Sequence, residues 1–376
     1  MTTPPSRLIE LDSLRGVAAF IVVLHHAFIA LPQVPGWVSW MLFSTPLRPI
    51  GIGRPAVIFF FVLSGYVLTR ALRAQEASRP GSVLSAPGWL GYAGQRAVRL
   101  GLPVLASLLL SALLQGLVWR GPMPEETPHL TGEAGWYEMW TWPALLLQAL
   151  LMRHGDGFQL NPVLWTLVHE WRINLLLPIA LLFINRWALL VAVALLGAGI
   201  AQLAGMPEGG VSLGDSLPQT FIASAGFLPA FAAGAALALG RPPRLDGPQA
   251  MAAGIAILVM AASAHDYGVI AGSVLLILLA QREGRFAEGL RHPALVWLGR
   301  ISFSLYLVHM PLLLMTTHLL RDGGSPLLAA AIAIALAFPA AALMHRFVEQ
   351  PAHRLARRIR PPSTRLSPAA IPYQAR

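Results

Sequence analysis

The chain has 376 residues, 56% of them hydrophobic and 12% charged, about half the charged share of a soluble domain, which excludes a water-soluble globular protein. There is no Cys, so disulfides and cysteine-ligated metal sites are excluded. The net charge of +10 comes from Arg alone among the basic residues, and these arginines lie between apolar segments, which argues for membrane topology and against nucleic-acid binding.

About 20 apolar residues cross a bilayer. Ten runs are candidates, at roughly 12–31, 52–70, 100–119, 163–184, 187–204, 219–239, 247–264, 267–281, 301–320 and 325–346, so the expected fold is an all-α integral membrane protein of about ten transmembrane helices. Glu10 and Asp12 stand at the head of the first run and no small-x-small cleavage site follows it, which predicts a retained helix rather than a signal peptide. The stretch "WPALLLQALLM", 142–152, is too short to cross unless it recruits "GWYEMWT" before it. It reads as a re-entrant or interfacial outer segment, its aromatic neighbours suiting the headgroup region.

With 142–152 not crossing, both termini fall on one side together with Arg70, Arg73, Arg79, Arg96, Arg99, Arg186, Arg241, Arg244, Arg282, Arg285 and Arg291. The other side receives Arg48, Arg54, Arg120, Arg153 and Arg321, with Glu125, Glu126, Glu133, Glu138 and Asp156. The asymmetry predicts a cell (inner, cytoplasmic) membrane protein with both termini cytoplasmic. Residues 1–350 are expected to form one multi-pass domain without an internal repeat. Residues 351–376, rich in Arg and Pro, are expected to be a disordered cytoplasmic tail drawn to anionic lipid.

An ionisable side chain at the centre of a span costs roughly 2.5–3.5 kcal/mol on insertion scales, so each needs a partner or a function. In "LDSLRGVAAFIVVLHHAF", 11–28, Arg15 and His26 are eleven residues apart and return to within about 20° of one helix face, whereas His25 is about 80° away. Either that face lines a site, or Arg15 snorkels and the histidine is satisfied by a backbone carbonyl. Ser64 and Gly65 in the second run suit close helix packing. The arginines that follow, Arg70 and Arg73 and then Arg96 and Arg99 at i, i+3, would cradle a polyphosphate or simply fix orientation.

In "NPVLWTLVHEWRINLLLP", 161–178, Thr166, Glu170 and Asn174 form one polar stripe, with His169 and Arg172 on a neighbouring face. This helix must face other helices or a cavity; it lacks the second histidine of a zinc-protease motif. Ser302, Tyr306 and His309 form a further polar face, readable as a packing seam with hydroxyls bonded back to the helix. Imidazoles, a carboxylate and several arginines thus converge on one bundle core.

These stretches together resemble the acyltransferase-3 family of multi-spanning membrane O-acyltransferases. The resemblance is carried by Arg15 and His26 at the Arg-x10-His spacing, "FFFVLSGY" at 59–66, "RAVRLGLP" at 96–103, "LWTLVHEWRINLLLP" at 164–178, "LGRISFSLYLVHMP" at 298–311 and "RFVEQPAHR" at 346–354. It covers nearly the whole chain in the family's order. Two departures touch the acceptor side: Tyr66 where Ser-Gly-Phe is common, and "WTLVHE" where "WSLSVE" is common. The esterase-like domain fused to some relatives is not expected.

The resemblance implies transfer of an acyl group, commonly acetyl, from cytosolic acyl-CoA to a hydroxyl of a carbohydrate or other membrane-linked or extracytoplasmic acceptor. Such a reaction needs a base for the hydroxyl proton and donors for the developing oxyanion. His26 is the expected base, acting directly on the acceptor or through a short-lived acyl intermediate. Arg15, Arg96, Arg99, Arg70 and Arg73 suit CoA phosphates, and Ser64 the acyl passage. Glu170 would orient His26 or bind the acceptor, and His309 would assist either. No metal is expected; the expected partners are membrane lipid, acyl-CoA and the acceptor. The rivals are a transporter, in which buried His, Glu and Arg form a relay, and a non-catalytic partner of an export complex, whose buried polar residues would tolerate substitution.

Overall fold

The computed structural model describes residues 8–32, 34–123, 135–152, 158–206, 213–214, 216–240, 245–263 and 265–359. All regular structure among them is helical. Arg241, Arg244, Arg153, Glu125, Glu126, Glu133 and Asp156, used above for orientation, lie outside the described residues, as does 360–376 of the expected tail.

Each apolar run becomes helix, but length separates them. The first run is α1 (Ile9–Ile29), followed by two short helices that the apolar count did not reveal, α2 (Gly36–Ser44) and α3 (Arg48–Ile52). Then come α4 (Arg54–Ser78) and α5 (Ala86–Val118). α5 starts well before its apolar run because Ser85 caps it, accepting from the Gly88 N–H, and Pro87 sits in its first turn. α6 (Trp142–Ala149) has eight residues, a rise of about 12 Å, too short to cross a bilayer. Leu145 and Gln148 of α6 are buried while Trp142 is 64% exposed.

The second half contains α7 (Leu164–Ala180), α8 (Trp187–Leu203), α9 (Leu217–Ala225), α10 (Leu228–Leu239), α11 (Gly247–Ala261) and α12 (Asp266–Ala280). It ends with α13 (Arg285–Leu290), α14 (Pro293–Leu319), α15 (Pro326–Met344) and α16 (Gln350–Ala356). Among the described residues six helical segments are long and apolar enough to cross a membrane, or seven if α9 and α10, bent by 45° at their junction, form one span. The expectation of about ten spans is therefore not met by length and composition: α8, α11 and α12 are apolar but have only 15 to 17 residues, short of the roughly 20 a straight crossing needs. Residues 351–356, the first of the expected tail, continue as helix in α16, with Ala352 and Ala356 buried.

Small residues bring the central helices together. A Cβ on Gly16 would fall 2.5 Å from the Gly299 backbone nitrogen, so α1 and α14 touch backbone to backbone. Gly65 and Gly234 do the same for α4 and α10, against the backbones of Phe231 and Val62. Gly16 faces Gly299 and His26 faces His309, so α1 and α14 run in one direction with a fixed register. At the end where α1 begins, Arg291 pairs with Glu10 at 2.5 Å and Arg282 donates to the Leu245 carbonyl. At the other end Arg120 pairs with Asp322, Arg321 donates to the Gly121 carbonyl, and Arg54 grips Asp266 through two nitrogens at 2.8 and 2.6 Å.

Candidate active site

The register of α1 on α14 places Arg15 over the end of α14. Its Nε donates to Ser302 Oγ at 2.9 Å and its Nη2 to the Gly299 carbonyl at 3.1 Å, with Asp12 at 3.3 Å. A cavity of about 370 Å³ begins there, and Arg15, Ser64, Arg70, Arg96, Arg99 and Glu170 all line it. The arginines gather at the end where α1 begins; Val57, Phe60, Phe61, Leu167 and Phe303 make apolar walls. A cavity with arginines at one end and largely apolar walls beyond them suits a ligand with an anionic head and a short apolar tail.

Glu170 is the polar hub of one wall. Its Oε1 stands 3.4 Å from Arg96 Nη2 and accepts from Ser64 Oγ and Asn174 Nδ2, each at 3.3 Å. The stripe of Thr166, Glu170 and Asn174 does face the interior. His169 and Arg172 turn to α9, where His169 Nδ1 meets Ser224 Oγ at 2.9 Å and Arg172 donates to the Thr220 carbonyl at 2.7 Å.

The imidazoles lie beyond the head of the cavity. His26 Nδ1 is 3.1 Å from His309 Nε2 and 3.0 Å from the Val22 carbonyl, and His309 Nδ1 is 3.2 Å from the Leu305 carbonyl. Carbonyl oxygens only accept, so with both rings neutral His309 donates from Nδ1 to the Leu305 carbonyl, and the single His26 Nδ1–H is shared between the Val22 carbonyl and His309 Nε2. That arrangement leaves the lone pair on His26 Nε2, as a general base requires. His25 points away, donating from Nδ1 to the Gly51 carbonyl at 2.8 Å, with its ring against Gly53.

Between cavity and imidazoles stands Tyr306. It lines the cavity with Phe60 and Thr166, whereas neither His26 nor His309 does. Its hydroxyl is 2.7 Å from Thr166 Oγ1 and donates to the Val163 carbonyl at 3.0 Å, and its ring lies 5.9 Å from that of His309 and 6.0 Å, edge on, from Phe60.

The expected site residues thus separate into two groups. Arg15, Arg70, Arg96, Arg99, Ser64 and Glu170 share the cavity, and His26 and His309 form a pair past its head. Glu170 is bonded to Arg96, Ser64 and Asn174 rather than to His26, while Thr166, one turn earlier on the same stripe, meets Tyr306 of α14. Arg73 is not a cavity residue: it donates to the Ala238 and Leu239 carbonyls at 2.9 and 3.0 Å, satisfying the last acceptors of α10. Glu349 and His353 lie in the "RFVEQPAHR" stretch, to which the sequence analysis gave no site role, and they also line the cavity. Glu349 is legible as a carboxylate closing the last long apolar run, and His353 follows it by four residues, one helical turn on. Among the described residues no group of three or more His, Cys, Asp or Glu is arranged to hold a metal ion.

A sequence model of the acyltransferase domain family matches residues 8–346. The chain is 31% identical to an O-acetyltransferase, PaAT-1, of Phomopsis amygdali over 47% of its own length and 40% of that protein. It is 24% identical to acyltransferase R4 of a Phoma species over 53% of this chain and 55% of that one, and 26% identical to acyltransferase clz18 of Cochliobolus lunatus over 46% and 45%. The chain spans about half the length of the curated relatives it matches. No solved structure matches.

Proposed function

The chain belongs to the acyltransferase-3 family, and from that premise we propose that it is a membrane O-acyltransferase moving an acyl group, acetyl in the first instance, from cytosolic acyl-CoA to a hydroxyl of a carbohydrate or other membrane-linked acceptor. The observation that carries this reading is the alignment of an arginine-lined cavity with an imidazole pair, both hung on the contact between α1 and α14.

In this reading the CoA phosphates lie among Arg15, Arg70, Arg96 and Arg99, and the thioester reaches the head of the cavity at Phe60 and Tyr306. His26 Nε2 takes the proton of the acceptor hydroxyl, whether the acceptor attacks the thioester directly or an acyl intermediate comes between. The new C–O bond forms as the C–S bond breaks, and the thiolate of CoA leaves with the sulfur electron pair. The Val22 carbonyl and His309 Nε2, sharing the His26 Nδ1–H, fix the tautomer and support the imidazolium that forms, as an orienting group does in a catalytic triad. Glu170 holds Arg96 and Ser64 in place along the acyl passage.

Detergent-purified protein is expected to bind acetyl-CoA and cleave it slowly to CoA, and His26→Ala to remove cleavage while leaving binding intact. A fully active His26→Ala variant would overturn the assignment. Binding without cleavage in the native protein would favour a transporter. We place the protein in the cell membrane with both termini in the cytosol, a reading supported by the arginine asymmetry. A single cysteine at Glu283, in a chain that has none, should then be labelled only from the cytosolic side.

A further inference from the structure

Beyond Met344 the last long helix changes its winding. His345–Glu349 forms a π turn, closed by the Gln350 N–H donating to the His345 carbonyl five residues back. The cause is in the sequence: Pro351 has no N–H, and in a regular α-helix its ring would crowd the carbonyl four residues earlier. A wider turn relieves that crowding, and such turns recur at functional sites.

The turn leaves Glu349 3% exposed, facing the arginine end of the cavity. A carboxylate inside the apolar segment is costly unless it is held. Its Oε2 accepts from Ser304 Oγ at 2.6 Å and from His345 Nδ1–H at 3.0 Å, and its Oε1 stands 3.9 Å from His353 Nε2. That same Nε2 of His353 accepts from Arg99 Nε at 3.1 Å.

Arg99 differs here from its neighbours. Arg15 is bound by Asp12, Ser302 and the Gly299 carbonyl, and Arg96 is paired with Glu170. Among the described residues Arg99 has no carboxylate within 4.0 Å and only the neutral acceptor of His353, so the terminal nitrogens of its guanidinium stay uncommitted at the cavity.

We propose that Glu349 and His353 are positioning residues for the acyl donor. Ser304 and His345 fix the Glu349 carboxylate; its charge, with the His353 acceptor, holds Arg99 by its inner nitrogen so that the outer edge of the guanidinium meets an anionic group of the donor. This rests on the acyl-CoA reading above.

The test is the kinetics of acetyl-CoA cleavage by the full-length protein in detergent. His353→Leu is expected to raise KM for acetyl-CoA roughly tenfold, as loss of a hydrogen bond to a charged group does, and Glu349→Gln, which removes the carboxylate charge beside that contact, to raise KM in the same direction, each with kcat held within about twofold. In an Arg99→Ala background neither should add further loss, because the three act as one unit. His353→Gln, which keeps an acceptor for Arg99, should restore most of the native KM. If Glu349→Gln fails to fold, His353→Leu decides alone. Native KM in the folded single variants, losses that add to that of Arg99→Ala, or a fall in kcat with no rescue by His353→Gln would each overturn the inference. Native protein that neither binds nor cleaves acetyl-CoA would overturn the acyltransferase reading itself and this inference with it.

Discussion

Nδ1 of His26 and Nε2 of His309 stand 3.1 Å apart although 283 residues separate them in the chain. The contact is held by backbone, not by the rings alone: the Gly16 and Gly299 contact sets the spacing of the two helices, and the Val22 and Leu305 carbonyls set the tilt of each imidazole.

Removing the partner should therefore weaken the base without abolishing the site. His309→Ala is expected to lower kcat for acetyl-CoA cleavage by about 10²-fold, the lower range for a general-base contribution, with binding little changed. His309→Gln, which still offers an acceptor to His26 Nδ1–H, should recover part of the rate. Steady-state kinetics beside equilibrium binding of acetyl-CoA checks both.

Arg70 and Arg73 are one helical turn apart and should behave differently. Arg70 lines the cavity and, among the described residues, bonds only the Tyr66 hydroxyl, at 3.5 Å, so Arg70→Ala should weaken acetyl-CoA binding. Arg73 holds the carbonyl end of α10, so Arg73→Ala should leave binding unchanged and lower stability by about 1 to 3 kcal/mol, the cost of leaving buried acceptors unpaired. Isothermal titration and thermal unfolding in detergent separate the two effects.

The contact of α1 with α14 has no room for a side chain. Gly299→Ala would drive a methyl group into the backbone of Asp12 and Ser13, and should destabilise the protein by about 1 to 3 kcal/mol, as overpacking does. It should also reduce turnover, since Arg15 and the imidazole pair depend on the same register. Gly116→Ala, on α5 with nothing near its would-be Cβ, is the matched control, and its unfolding temperature should not fall.

Tyr306 and Phe60 line the cavity, Tyr306 with its ring also against His309. Tyr306→Ala should lengthen the apolar section, and the ratio of kcat/KM for butanoyl-CoA over acetyl-CoA should rise by about tenfold, the scale of discrimination by one or two methylenes. Competition between the two thioesters measures the ratio directly. An unchanged ratio would mean that the acyl group lies elsewhere.

Much of the site was legible because helix periodicity is strict. A spacing of eleven residues put Arg15 and His26 on one face before any partner was known, and both do meet α14. The same rule grouped Thr166 with Glu170 and set His25 apart. It failed where the answer lay on another helix: which carboxylate serves which arginine, and that Arg73 caps α10 instead of facing the cavity. Apolar counting also gave no sign of the π turn before Pro351, which leads into α16 and keeps Glu349 buried.

By itself the sequence determined the all-helical membrane class, the places of the apolar runs, and the faces on which ionisable residues sit, since burial of apolar surface and the 100° step of a helix act locally. Only the tertiary structure decided how many helices are long enough to cross, that the arginines and Glu170 share one cavity with Glu349, and that Tyr306 stands between that cavity and the imidazole pair. Those relations join residues hundreds of positions apart, and they follow from backbone contacts at glycine and from one widened turn, neither of which periodicity encodes.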